Sequence, residues 1–171
     1  MVVSQSPVDI FKSQAHTGLV LRDVDAFVAH FAPDCVLHDT GESEPRVGRE
    51  ALREWVTAYL ESMSDADVEY LTLFSAGEFV LAEFVIRGMY QGTGAGPSGT
   101  RVALQYCVID QIRDGLVLSE TVYGVPQQLD RQLSAPIGFG GSLKPALSVP
   151  PTTGTQPSAF ERAHGTVDRR R

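Results

Sequence analysis

Apolar positions recur with a helical period in the first part of the chain and with a period of two after it. From Pro7 to Leu21, the residues Ile10, Phe11, Gln14, Gly18 and Leu21 form one stripe at helical spacing, and Pro7 suits a first helical turn. Asp23 has the short acceptor side chain that caps a helix, and Val24, Phe27, Val28 and Phe31 follow it as a second stripe. Pro33 and Asp34 end that helix, and Cys35 to Asp39 reads as a short strand. Thr40 to Val47, rich in Gly, Glu and Pro, reads as a loop. Gly48 to Met63 is a third helix, with Leu52, Trp55, Val56, Tyr59 and Leu60 on its apolar side.

Val68 to Phe74, Glu78 to Tyr90, Arg101 to Arg113 and Leu116 to Val125 then alternate as strands do. Ser75 to Gly77 and Arg113 to Gly115 are turn signals, and Gln91 to Thr100 is a flexible loop between two long strands. Tight turns between long neighbouring strands predict an antiparallel meander. Three helices ahead of it predict an α+β fold with the helices on one face of the sheet. A curled antiparallel sheet closed in this way leaves a cone-shaped, apolar central cavity suited to a small molecule.

The composition shifts near residue 131. Beyond it, Pro136, Pro145, Pro150, Pro151 and Pro157 stand among Gly138, Gly140, Gly141 and Gly154, and large apolar residues thin out. Such a stretch buries too little surface to offset its ordering entropy. The expected division is a flexible start over 1–6, one folded domain over 7–130 and a mostly disordered tail over 131–171. Ile137, Phe139, Leu143 and Leu147 offer the alternative of a segment that docks on a groove or partner.

Charge divides at the same place. Residues 1–130 carry 8 Lys and Arg against 19 Asp and Glu, a net of −11; residues 131–171 carry 6 against 2, a net of +4. An acidic body repels a phosphate backbone, so no nucleic-acid partner is expected of the domain. Arg169, Arg170 and Arg171 read as a solvated end. No apolar run approaches the roughly 20 residues of a membrane span. Met1 to Pro7 lacks a basic segment followed by an apolar one. No membrane association and a cytoplasmic location are therefore expected. Cys35 and Cys107 lie in apolar stretches and read as reduced core thiols.

Gly92, Gly94 and Gly96 do not lead from a strand into a helix, so they form no phosphate-cradling motif. His16, His30, His38 and His164 show no paired metal-ligand spacing, and there is no GxSxG elbow. No metal site and no cofactor are expected. What remains is carboxylates on strands. Cys35, Leu37 and Asp39 share one face of their strand. If that face lines the cavity, desolvation penalises the charged form of Asp39 and fits it to carry a proton to and from carbon. The alternative is a strand-end Asp that caps the loop through Thr40 and Gly41.

Asp110 continues the apolar series Val102, Leu104, Tyr106, Val108. A charge on an inward face needs a partner or a function. The plainer reading places this face outside, with Asp110 solvated near the strand end. Glu83, Arg87 and Glu120 interrupt strands in the same way, and Arg87 paired with Glu83 or Glu120 is the simplest account. Tyr106 and Tyr123 could donate hydrogen bonds into a pocket or serve as core or interface aromatics. Trp55 and Tyr59, four residues apart, pack helix on sheet or touch a substrate.

One stretch carries a family pattern. Asp23 to Asp34 reads D-x-D-x-x-x-x-x-F-A-x-D, Leu37 to Asp39 reads apolar-x-D, and Glu44 to Trp55 reads E-P-x-x-G-x-x-A-L-R-E-W; the turn Ile112 to Gly115 is I-R-D-G. Over roughly residues 7–130 the chain resembles the ketosteroid-isomerase-like and SnoaL-like polyketide cyclase families of the nuclear-transport-factor-2-like superfamily. The resemblance implies the cone-shaped fold already drawn and places Asp39 where steroid isomerases keep a proton-shuttling aspartate. The family's oxyanion-hole tyrosine falls on Ala15, beside His16, and its second carboxyl falls on Val108, two residues before Asp110 on the same face. The proline that usually follows the first aspartate is Thr40, and the last-strand aspartate of polyketide cyclases falls near Val122. These departures point away from steroid isomerisation. Epoxide-opening cyclases, a further relative, pair the first aspartate with a second acid, a place taken here by Asp65 or Glu69.

The expected activity is a cofactor-free isomerisation or cyclisation of a bulky apolar polyketide- or terpenoid-like molecule, within natural-product biosynthesis. Asp39 is the expected base, and Tyr106, His16 or protonated Asp110 the neutral donor. His16, Trp55, Tyr59, Phe84, Val108, Glu120 and Val122 are the expected substrate contacts. The resemblance further implies a homodimer paired through the open sheet face. Two alternatives stand beside this reading: epoxide opening or hydrolysis by paired carboxyls, and a non-catalytic small-molecule-binding protein with the same cavity.

Overall fold

A computed structural model of the protein describes residues 5–92, 97–125 and 127–134. Helix α1 (Pro7–Ala15) starts at Ser6, whose hydroxyl accepts from the Asp9 N–H at 3.2 Å. That cap fixes Ser6 inside the stretch expected to be flexible; residues 1–4 lie outside the described residues. A π-helical turn (His16–Val20) continues α1, with the Thr17 hydroxyl donating to the carbonyls of Ser13 and Gln14 at 3.0 and 2.9 Å. The chain then reverses at Arg22, which sits in the left-handed region at φ 58°. Its guanidinium donates to the carbonyls of Leu60 and Met63, each at 2.7 Å. Asp23 caps α2 (Val24–Ala29) through the Ala26 N–H at 2.9 Å, as its side chain predicts. Gly18 lies so close to Phe27 that a Cβ there would stand 2.5 Å from the ring.

Strand β1 (Phe31–Asp39) begins four residues earlier than the pattern suggests, and Pro33 falls in its irregular, unpaired part, where a missing N–H costs nothing. A two-residue strand β2 (Arg46–Val47) and helix α3 (Gly48–Ser62) follow, then β3 (Met63–Ala76), β4 (Phe79–Tyr90), β5 (Thr100–Arg113) and β6 (Leu116–Gly124). Together they form one curved, open six-stranded sheet in the order β2-β1-β6-β5-β4-β3. The expected all-antiparallel sheet needs one correction, because β1 runs parallel to β6. This pairing joins the first strand to the last, a long-range choice no local pattern encodes. Register breaks in β3 between Ser64 and Asp67 and between Tyr70 and Thr72 bend the sheet. Asp65 occupies the first of these at φ 50°, within the strand.

Helix α1 packs on β3, β4 and β5, and α3 on β1 and β3, so the helices close the concave face. The core between them holds Phe31, Leu37, Leu52, Val56, Val80 and Val117, all essentially sealed from water. Cys35 is buried and Cys107 half-buried, both as free thiols.

Beyond the expected domain end at residue 130 the chain is still helical. Helix α4 (Gln127–Ser134) lies along the part of β5 that β6 leaves unpaired. Gln128 and Gln132 each bond twice to the β5 backbone, Gln128 to the N–H and carbonyl of Gln105 (2.9 Å each) and Gln132 to those of Ala103 (2.7 Å each). Two side-chain amides thus stand in for a missing strand. The rest of the expected tail, 135–171, including Ile137, Phe139, Leu143 and Leu147, lies outside the described residues, as do 93–96 of the expected flexible loop. Among the described residues no helix is long and apolar enough to cross a membrane.

Candidate active site

The concave face of the sheet and the helices enclose a chamber of about 130 Å³. Phe11, Gln14, Ala15 and Leu19 line it from α1 and the π-helical turn, Phe27 from α2, and Trp55, Val56 and Tyr59 from α3. The sheet contributes Asp39, Phe84, Ile86, Tyr106, Val108, Glu120 and Val122. A second hollow of about 340 Å³ shares Asp39, Tyr59 and Tyr106 with the first and is closed on one side by Gln128 and Leu129 of α4. The two hollows therefore meet at a carboxylate and two phenols. Among the described residues no Lys, Arg or His lines the chamber.

Asp39 is the last residue of β1, and the strand's exit is tied to β6: the N–H and hydroxyl of Thr40 both donate to the Val122 carbonyl at 3.0 Å. One oxygen of Asp39 accepts from the Gly41 N–H at 2.9 Å. The two readings of Asp39 are thus compatible, since it caps its loop while lining the chamber. Beside it, burial raises the Tyr106 phenol above its usual pKa range; an interaction with Tyr59 works against this rise and the charge of Asp39 adds to it. Burial raises Tyr59 well above the usual range, with Tyr106 adding to the effect. Apart from its interaction with Tyr106, the buried Tyr59 hydroxyl has no hydrogen-bond partner among the described residues.

The deeper acid is Glu120 of β6, only 5 % exposed. The Gln14 side-chain amide donates to its Oε2 at 2.6 Å. Burial lifts Glu120 from an ordinary 4.5 to about 7, while the hydrogen bond from Gln14 and the interaction with Asp110 hold it down. Asp110 is its cross-strand register partner on β5. Asp110 is 0 % exposed, and burial, followed by the charge and proximity of Glu120, pushes Asp110 well above the carboxylate range.

Three expectations fall here. Asp110 is neither solvated on an outer face nor on the chamber wall: the series from Val102 to Ile112 faces inward, and Asp110 is sealed beside Glu120, which does line the chamber. His16 is exposed and does not line the chamber, because the inward face of α1 runs through Ile10, Phe11, Gln14 and Ala15 at ordinary helical spacing and His16 lies about 100° around the axis from Ala15. Arg87 pairs with Glu69 at 2.5 Å, not with Glu83 or Glu120. Glu83 bonds instead to Thr72 at 3.2 Å and Gln105 at 2.7 Å. Asp39, Trp55, Tyr59, Phe84, Tyr106, Val108, Glu120 and Val122 do come together around the chamber. Phe11, Gln14, Ala15, Leu19, Phe27, Val56 and Ile86 complete it unannounced, although a polar Gln14 on the apolar stripe of α1 was a usable signal. Among the described residues no group of three His, Cys, Asp or Glu could hold a metal ion.

The model of the SnoaL-like domain family matches residues 14–120, more than half of the chain. The chain belongs to the SnoaL-like family. Among curated proteins no sequence matches it. Solved structures share the fold of this SnoaL-like domain at low identity. A proposed SnoaL-like polyketide cyclase from Jannaschia sp. is 17% identical, with a TM-score of 0.67 over 78% of this chain and 99% of that one. A protein of ketosteroid-isomerase-like fold from Catenulispora acidiphila, solved with trimethylamine, is 20% identical, with a TM-score of 0.64 over 75% of this chain and 94% of its own. An epoxide hydrolase of M. tuberculosis, described as LEH-like, is 16% identical, with a TM-score of 0.59 over 74% of this chain and 88% of its own. At these identities the likeness speaks for the shared fold and not for a shared reaction.

Proposed function

We propose that this SnoaL-like domain is an acid–base enzyme, an isomerase or cyclase that moves protons on a neutral, mostly apolar polyketide- or terpenoid-like molecule. One observation carries the reading: Asp39 and Glu120 both open on a single apolar chamber that also presents the phenols of Tyr59 and Tyr106. Asp39 removes a proton from carbon next to a carbonyl, and the electron pair moves onto the carbonyl oxygen. Tyr59 or Tyr106 donates a hydrogen bond to that oxygen, which in a dry site is worth far more than in water. The proton then returns at another carbon, or the enolate carbon attacks a second carbonyl whose oxygen takes the proton. Glu120, with a pKa near neutrality, can give and take protons at the far wall. A cavity of about 150 Å³ admits benzene, so the inner chamber suits one ring, with the bulk of the molecule in the outer hollow. The polyketide cyclase among the structural relatives supports this choice of substrate class.

Asp39→Asn keeps the loop cap and removes the base, so turnover of a poly-β-ketone or enone probe should fall by about 100-fold or more. Undiminished turnover by that variant overturns the reading, and tight binding without turnover by either protein favours a binding function. A second reading, epoxide opening or hydrolysis, draws on the same pair of inward carboxyls: one neutral acid protonates the epoxide oxygen while the other activates the nucleophile. The LEH-like hydrolase among the relatives supports it, and a diol or ring-opened ether product from an epoxide probe distinguishes it. The proposed homodimer would use the outer face of the sheet, where Phe74, Phe79 and Tyr123 stand about half exposed; a monomer in sedimentation rules it out.

A further inference from the structure

Asp110 presents an accounting problem. Both its side-chain oxygens are buried and have no hydrogen-bond donor among the described residues. Its neighbour across one edge of β5 is Val80. Across the other edge is Glu120, the one polar side chain among the described residues that acts on it. Two ionised carboxylates are acceptors only and cannot bond to each other, and among the described residues no cation is found among the groups that act on either carboxyl. A proton between them resolves the problem.

We propose that Asp110 and Glu120 form one proton-sharing dyad, in which neutral Asp110 donates to Glu120 from behind the chamber and holds its carboxylate toward the cavity. Gln14 completes the clamp from α1, fixing the other side of Glu120 at 2.6 Å. The dyad thus brings one negative charge, not two, to the inner wall. Asp110 touches no ligand, so it is a positioning residue acting through Glu120. That role rests on the acid–base reading above, whereas the sharing of the proton can be measured with no substrate present. The other titratable groups facing Glu120 are Cys35 and Asp39 on β1, Tyr59 on α3 and Tyr106 on β5. None of them is a cation, and Arg49, which acts on Cys35, donates instead to the Phe31 carbonyl, so none competes with Asp110 as the neutralising partner.

The test is carbon-13 NMR of the intact protein with labelled Asp and Glu carboxyls, titrated from about pH 5 to about pH 9. At about pH 8 the wild type should retain one carboxyl carbon at an acid shift, and Asp110→Asn should remove that signal. In Asp110→Asn the amide donates in place of the hydroxyl, so the Glu120 midpoint should stay within about one pH unit. Asp110→Leu removes the donor and should raise the midpoint by about one to two pH units. Two carboxylate shifts in the wild type at about pH 8, an acid signal that survives Asp110→Asn, or a Glu120 midpoint unmoved by Asp110→Leu would overturn the dyad. If Asp110→Leu does not fold, the wild-type and Asp110→Asn spectra decide alone. Turnover reports separately: loss of the Asp39-dependent activity reading leaves these titrations standing, and failed titrations leave Asp39 untouched.

Discussion

Replacing Glu120 with Gln should make the protein more stable, and by an amount that grows with pH. Glu120 is buried, and its pKa rises from 4.5 to about 7 on folding. A carboxyl raised in this way contributes its full stability below the unfolded pKa and loses it as pH climbs through the folded value. At 1.36 kcal/mol per pH unit, that rise means about 3 kcal/mol lost between roughly pH 4.5 and pH 7. Gln stays neutral throughout, accepts the amide of Gln14 and offers an N–H to the otherwise donorless Gln14 Oε1. Asp110 keeps its burial penalty but loses the repulsion of Glu120, an effect of the same sign. Wild type and variant should therefore coincide at about pH 4 and separate to about 3 kcal/mol at about pH 8, or roughly 10 °C in Tm for a chain of this size. Denaturant melts of both proteins across that range are the assay. A difference that does not change with pH, or a variant less stable at about pH 8, refutes the claim that Glu120 is held in a dry wall at a cost to the fold. In the acid–base reading the same substitution lowers turnover, a trade of activity against stability.

Tyr59→Phe removes a buried hydroxyl that, its interaction with Tyr106 apart, has no partner among the described residues; thermal melts should show stability unchanged or raised by about 1 kcal/mol, while turnover falls about 100-fold if that hydroxyl serves the oxyanion. Gly18→Ala drives a Cβ to 2.5 Å from the Phe27 ring and should cost about 1–3 kcal/mol in denaturant melts; an unaffected midpoint would mean that α2 gives way freely. Gln128→Ala combined with Gln132→Ala leaves four backbone groups of β5 unpaired, and should lower stability by a few kcal/mol and increase light scattering on mild heating.

The helical stripes, the Asp23 cap and the alternation of β4, β5 and β6 were legible because each is a local preference that the fold keeps. The start of β3 was not: Ser64, Asp65 and Asp67 have weak strand propensity and are held there by pairing with β4 around a bulge. Helix α4 escaped notice because Leu129 and Leu133 are its only large apolar residues and its Gln side chains, not an apolar stripe, anchor it. At the site, the spacing of Cys35, Leu37 and Asp39 put the first acid on the right face. The spacing of Asp110 was equally informative, yet sequence could not tell inner from outer face without the β5–β6 register that sets it against Glu120. His16 is next to Ala15 in sequence but about 100° around the helix from it, so adjacency to the family's tyrosine position did not bring it to the chamber.

The anchoring of α4 has a metrical consequence. Four residues of α-helix advance about 6 Å along the axis, and two residues of strand about 6.6 Å. Gln128 and Gln132 therefore keep step with Gln105 and Ala103, as two teeth of a rack mesh with two of its pinion. Most point changes on the far side of this helix leave the mesh intact. Inserting or deleting one residue between the two glutamines turns the second through about 100° and disengages it, so the segment tolerates variation in sequence far better than variation in length.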